Sequence, residues 1–290
     1  MKRNLLFTFI LLIAAAMGCK AQIFYKVEGN GLKSPSYLFG THHFAPTSML
    51  DSLPQVKEAL NNADCVVGEL DMTANPMAMV QTMQAHMMAP ADSTISKLVD
   101  EKQFAYMDSV VTALTGGISL RLFDTMKPIA VEVTVSGMLA AKELQETGQL
   151  DTYFQQVAKL QNKQIKGLET ADFQAQVLFD VMPIDKQLES LISVLEKPDE
   201  IMKATHELTN AYLSRDADAI WEIGKESSKD SDGEFFEILL TKRNEAWMQK
   251  LPSMMEEAPL FIAVGALHLY GDNGIIESLR KAGYTVTPIL

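Results

Sequence analysis

Two histidines stand in the same short phrase at opposite ends of this chain. Tyr37-Leu38-Phe39-Gly40-Thr41-His42-His43 lies near the start, and Phe261-Ile262-Ala263-Val264-Gly265-Ala266-Leu267-His268 lies near the end. Each is an apolar run followed by Gly-x-x-His. A neutral imidazole ligates divalent metals and exchanges protons near neutral pH. The glycine, Gly40 or Gly265, permits a sharp turn or the close approach of another group. Either histidine alone reads most simply as a satisfied loop or core residue; the matched context of the pair points to function. His42 adjoins His43. Neighbouring residues at a strand end point to opposite sides, so the spacing selects His43, with His42 beside it.

Two carboxylates share this kind of position. Glu69 closes the apolar run Val66-Val67-Gly68, where a charge is costly unless paired or coordinating. It completes a two-histidine, one-carboxylate set with positions left for water, and metal-bound water deprotonates near neutral pH. Its alternatives are a general base or an ordinary capping or surface acid. Glu169 follows Gly167-Leu168 in the same way. It is a second candidate carboxylate or a charge in the first turn of the next helix.

Arg243 lies on the apolar stripe Phe236, Leu240, Trp247 of an expected helix. Buried arginines have partners. Arg243 therefore holds a carboxylate, stabilises negative charge on a tetrahedral intermediate, or makes a structural ion pair, with Asn244 beside it. His86 and His206 lack such context and read as ordinary helix residues. The sequence has no His-Glu-x-x-His, Gly-x-Ser-x-Gly, P-loop or dinucleotide fingerprint.

These candidates follow expected strands. Apolar runs and turn residues predict strands over 23–27, 36–39, 65–70, 164–168, 260–264 and 285–289. Helical periodicity predicts 52–63, a helix through Phe104, Met107, Val110 and Leu114 that stops at Gly116-Gly117, then 129–147, 151–162, 171–182, 185–196, 199–213, 216–227, a long helix 233–251, and 275–282. The units 37–71 and 260–289 share one order: strand, Gly-x-x-His loop, helix, strand. Such crossovers predict an α/β fold with a central, largely parallel sheet, many flanking helices and a helical middle section. Functional groups in such sheets gather beyond the carboxyl ends of the strands. The methionines at 77, 79, 83, 87 and 88 read as core filling or an adaptable apolar surface.

The chain has 290 residues, 47% hydrophobic and 21% charged, with a net charge of -12. That is a globular composition. Acidity without a basic stripe argues against a nucleic-acid partner. Lys2 and Arg3 followed by the apolar stretch Leu5 to Ala16 predict an export signal. It ends at residue 21 before Gln22, or at residue 18 with Cys19 as a lipidated first residue of a membrane-anchored lipoprotein. Residues 22–290 then form a single domain. Only Cys65 remains in the mature body, so an internal disulfide is not expected and Cys65 reads as a small buried apolar residue. The expected location is the bacterial cell envelope, in the periplasm or on a membrane.

Taken together, Gly40-Thr41-His42-His43, Gly68-Glu69-Leu70-Asp71, Gly167-Leu168-Glu169-Thr170 with Gln174, Arg243-Asn244 with Trp247, and Gly265 to His268 resemble the TraB/PrgY/GumN family, which includes the Tiki metalloproteases. The matches run in the family's order over almost the whole mature chain. The resemblance implies an erythromycin-esterase/ChaN-like α/β fold and a divalent-metal hydrolase, with manganese or cobalt supporting peptide cleavage in the Tiki branch. Zinc also suits the set. By position, His43 and His268 match the family histidines and Glu69 its glutamate; Glu169, Arg243 and Asn244 match further recurring positions. His42 stands where the family often has an apolar residue. The expectation is an exported metal-dependent hydrolase, a peptidase that uses metal-activated water, with a peptide or small molecule as substrate. The alternative is a cell-envelope binding protein that sequesters such a ligand.

Overall fold

The computed structural model describes residues 22–144, 149–227 and 234–290. Both leader expectations, 1–21 and 1–18 with Cys19, lie outside the described residues, as do the end of the helix expected over 129–147 and residue 233. The fold is α/β. Six strands, β1 (Phe24–Gly29), β2 (Ser36–Thr41), β3 (Cys65–Gly68), β4 (Gln164–Gly167), β5 (Leu260–Gly265) and β6 (Tyr284–Pro288), form one sheet of order β4-β3-β5-β2-β1-β6. β4, β3, β5 and β2 run parallel; β1 is antiparallel to both β2 and β6.

Sequence pattern explains the order. Leu260 to Val264 is apolar at every position, and each residue is buried, as suits a strand covered on both faces. Gln164-Ile165-Lys166-Gly167 alternates polar residues and is more exposed, which suits an edge. Phe39, Phe154 and Phe261 pack ring to ring beside β5, with centroids 5.1 Å and 4.8 Å apart along that series.

Both expected strand–helix–strand units exist, but neither pairs its own two strands. β5 inserts between β2 and β3 of the first unit, and β2 and β1 separate β5 from β6 of the second. The strand expected over 65–70 also ends earlier, at Gly68, although the Glu69 carbonyl still accepts from the Glu169 N–H at 3.0 Å.

The helices are α1 (Pro54–Asn62), α2 (Pro76–Met87), α3 (Ile95–Leu98), α4 (Glu101–Thr115), α5 (Pro128–Leu144), α6 (Leu150–Leu160), α7 (Ala171–Phe179), α8 (Ile184–Glu196), α9 (Pro198–Leu213), α10 (Ala217–Ser227), α11 (Glu234–Phe236), α12 (Arg243–Met248), α13 (Leu251–Glu257) and α14 (Ile275–Lys281). The middle helices carry their own apolar cluster, including Phe104, Met107, Val131, Val135 and Leu191. The long helix expected over 233–251 is not uniform. A π-helical stretch, Glu237–Lys242, separates α11 from α12. Such widened turns recur where a helix re-aims functional side chains, and this one immediately precedes Arg243. The methionine-rich segment is α2. None of its residues is buried, although Met83 and Met87 pack against a small cluster with Ala175 and Phe179. Cys65 is buried and free.

Candidate active site

Four neighbouring parallel strands each release one candidate at the same edge. In sheet order these are Glu169 after β4, Glu69 after β3, His268 after β5 and His43 after β2. Gly40 lies opposite Val264, and Thr41 opposite Gly265, so the two Gly-x-x-His phrases leave the sheet side by side. Their glycines serve close approach. A Cβ on Gly40 would stand 3.0 Å from Cα of Ala266, in the turn that carries His268. A Cβ on Gly265 would stand 3.2 Å from Oε1 of Glu69, and that same oxygen accepts the Gly265 N–H at 2.8 Å.

Arg243 ties three of the candidates together. Its Nη2 donates to Glu69 Oε2 at 2.7 Å and to Glu169 Oε1 at 2.6 Å, its Nε to Glu169 Oε2 at 3.0 Å, and its Nη1 faces His268 Nε2 at 3.1 Å. Trp247 Nε1 also donates to Glu169, and Gln174 donates to both glutamates. Only 6% of the Arg243 side chain and 4% of Glu169 is exposed. A planar, permanently charged fork between two carboxylates supplies both charge balance and direction.

The tautomer of His268 follows from its neighbours. Asn244 Nδ2 donates to the carbonyls of His268 and Asn273 at 3.1 and 3.0 Å, which leaves Oδ1 to accept from His268 Nδ1 at 2.7 Å. His268 therefore carries its proton on Nδ1 and presents a lone pair at Nε2. Burial, with the Arg243 charge adding to it, lowers the His268 pKa to about 4, against the pull of Glu69, so the ring is neutral at pH 7. Burial alone would raise the Glu69 carboxyl. The positive charge of the protonated His268 ring, the Arg243 charge and the Gly265 N–H together outweigh it, and the carboxyl falls to about 2.

His43 sits differently. Its side chain is 74% exposed, and Nδ1 lies 3.5 Å from Oδ2 of Asp151. Asp151 raises its pKa, and the charge of Glu69 adds to the effect. His42 turns away from it: Nε2 meets Thr209 Oγ1 at 3.0 Å and the ring packs on Tyr212. Burial and the neighbouring His43 lower the His42 pKa to about 4, with Asp151 opposing. The structure thus gathers Glu69, Glu169, Arg243, Asn244 and His268 in one buried network and sets His43 beside it with Asp151. Sequence reading missed Asp151, because an acid in the first turn of a helix looks like a plain partner of the helix dipole. Gln174 and Trp247 stood in the quoted motifs without a role. His86, read as an ordinary helix residue, links α2 to the α7 region through Asp172 and Asp180.

The donor types here suit a divalent cation. Neutral His268 turns Nε2 inward with its other nitrogen anchored, as metal-binding histidines do, and ionised Glu69 places Oε1 3.9 Å from that nitrogen. Among the described residues, however, no three His, Cys, Asp or Glu side chains are gathered closely enough to hold a metal. The guanidinium of Arg243 bridges Glu69 and His268. A groove of about 370 Å³, lined by Asn75, Met79, Glu169, Thr170 and Asp172 among others, opens between α2 and this end of the sheet.

Comparison with known proteins matches residues 23–288 to the model of the TraB/PrgY/gumN family. Among curated proteins, YbaP of Shigella flexneri is 27% identical over 252 residues, covering 84% of this chain and 88% of that protein. Metalloprotease TIKI1 of Danio rerio is 24% identical and that of Homo sapiens 23% identical; each match covers 87% of this chain, but only 60% and 59% of the respective relative. No solved structure matches significantly. The chain belongs to the TraB/PrgY/gumN family.

Proposed function

We propose that this family member is an exported, metal-dependent hydrolase that cleaves peptide bonds at the carboxyl edge of its sheet. The observation that carries the reading is the delivery of Glu169, Glu69, His268 and His43 by four adjacent parallel strands; the names of the TIKI relatives support it. Glu69, His268 and His43 would hold the divalent ion, manganese, cobalt or zinc, which when bound supplies Lewis acidity and a water that ionises near neutral pH.

The chain's own residues do the rest. Asn244 fixes His268 in its Nδ1–H form. Arg243 keeps Glu69 ionised and places positive charge where an oxyanion forms, a term worth about 3–4 kcal/mol of barrier per well-placed donor. Glu169 and Trp247 hold the guanidinium in register. The groove beside α2 admits an extended substrate to Glu169. The leader delivers the protein to the cell envelope, with the membrane as partner if Cys19 is lipidated; mass spectrometry of the mature N-terminus decides between the two processing sites.

One observation favours a second reading. Arg243 already satisfies Glu69 and His268, so a protein that keeps this lock closed would bind a peptide or small ligand without turnover. The test is metal content and peptide cleavage in the wild type, His43→Ala and His268→Ala. Bound metal and cleavage lost in both variants support the hydrolase. Unchanged occupancy in both removes the coordination claim, and tight ligand binding without turnover supports the second reading.

A further inference from the structure

The feature that the proposed chemistry leaves unused is the carboxylate of Asp151. It stands in the first turn of α6, where the helix N-terminus favours an anion. Its Oδ1 accepts from the hydroxyl of Thr41 at 2.7 Å. Thr41 is the buried last residue of β2, so sheet and helix together fix where the carboxylate points. Its Oδ2 is buried and has no hydrogen-bond partner, a costly state for a charged oxygen that solvent does not reach. The group facing it is Nδ1 of His43 at 3.5 Å.

We propose that Asp151 is a positioning residue: its Oδ2 takes the Nδ1–H of His43 and leaves Nε2 of that ring open at the edge of the sheet. The inference rests on the reading that His43 serves this site. A carboxylate only accepts, so whichever ring nitrogen it meets must carry the proton. Because His43 is exposed, a small ring rotation brings Nδ1 to the roughly 2.7–2.9 Å of a charge-assisted bond. The Nε2 of the neighbouring His42 is spent on Thr209. Both histidines of the paired motif then carry the proton on Nδ1, one held by Asn244 and the other by Asp151. Carboxylate–histidine pairs of this form orient imidazoles as metal ligands and as general bases alike.

The experiment is two-bond 1H–15N NMR of the imidazoles in the metal-free, full-length mature protein at a pH where His43 is neutral. His43→Gln assigns the signal, and circular dichroism confirms the fold of each variant. The expected result is an Nδ1–H tautomer for His43 in the wild type that reverts to Nε2–H, the form free imidazole side chains prefer, in Asp151→Ala. Metal titration provides the second readout: affinity for manganese or zinc falls about 10- to 100-fold in Asp151→Asn. An Nε2–H ring in the wild type, or a tautomer unchanged in Asp151→Ala, overturns the proposal. If the tautomer switches but no metal binds, Asp151 keeps its role and the metal-dependent reading falls instead.

Discussion

Replacing Arg243 with methionine keeps an unbranched apolar stem and removes the guanidinium that faces Glu69 and Glu169 together. Both pairs are largely or wholly buried, with Glu69 19% exposed, and removing one partner of a buried pair costs about 3–5 kcal/mol. Glu69 gives an upper figure. A carboxyl lowered from 4.5 to about 2, by His268 as well as by Arg243, contributes at most about 3 kcal/mol at neutral pH, and Arg243 supplies only part of it. Its sign is fixed: a depressed carboxyl stabilises the fold above its unfolded value and loses that contribution as pH falls through its folded value. The deficit of Arg243→Met is therefore largest at neutral pH and shrinks as pH drops from 4.5 towards about 2. Urea unfolding of wild type and variant, at neutral pH and within that acid window, measures both quantities. Arg243→Lys, which keeps the charge but not the fork, is expected to recover only part of the loss. A deficit under about 1 kcal/mol, or one that does not change with pH, refutes the network.

Three further outcomes follow. Asn244→Ala leaves the carbonyls of His268 and Asn273 without their donor and frees the His268 tautomer; calorimetry should show a loss of about 1–3 kcal/mol in stability, and NMR a mixed His268 tautomer. Gly40→Ala drives a Cβ against the backbone of Ala266 and is expected to cost about 1–3 kcal/mol, read by urea unfolding. His86, whose pKa Asp180 and Asp172 raise, stabilises the α2 contact fully below the unfolded value of 6.5 and loses that contribution as pH rises through the folded value; His86→Gln should flatten the melting temperature across that window.

Much of this site was legible because it lies where apolar runs stop. Glu69, His43 and His268 each follow a strand that hydrophobic residues announce, Glu169 follows a more polar edge strand, and the 4–3–4 spacing put Arg243 on a buried stripe. The arrangement among them was not legible. Nothing local in Leu260 to Gly265 says that it inserts between β2 and β3, since strand order depends on long-range packing. The π turn before Arg243 and helix α2 also escaped, the latter because its methionines lack a clear apolar stripe and none is buried. Asp151 escaped because its partners, Thr41 and His43, lie more than a hundred residues away.

The most direct test of the account is a crystal structure of the mature protein soaked with manganese and measured for anomalous scattering. One manganese peak is expected at the sheet edge, bonded to Glu69, His268 and His43. Full occupancy at another place, or an unbroken Arg243 bridge between Glu69 and His268 with no peak beside it in a protein that still cleaves peptides, would contradict it.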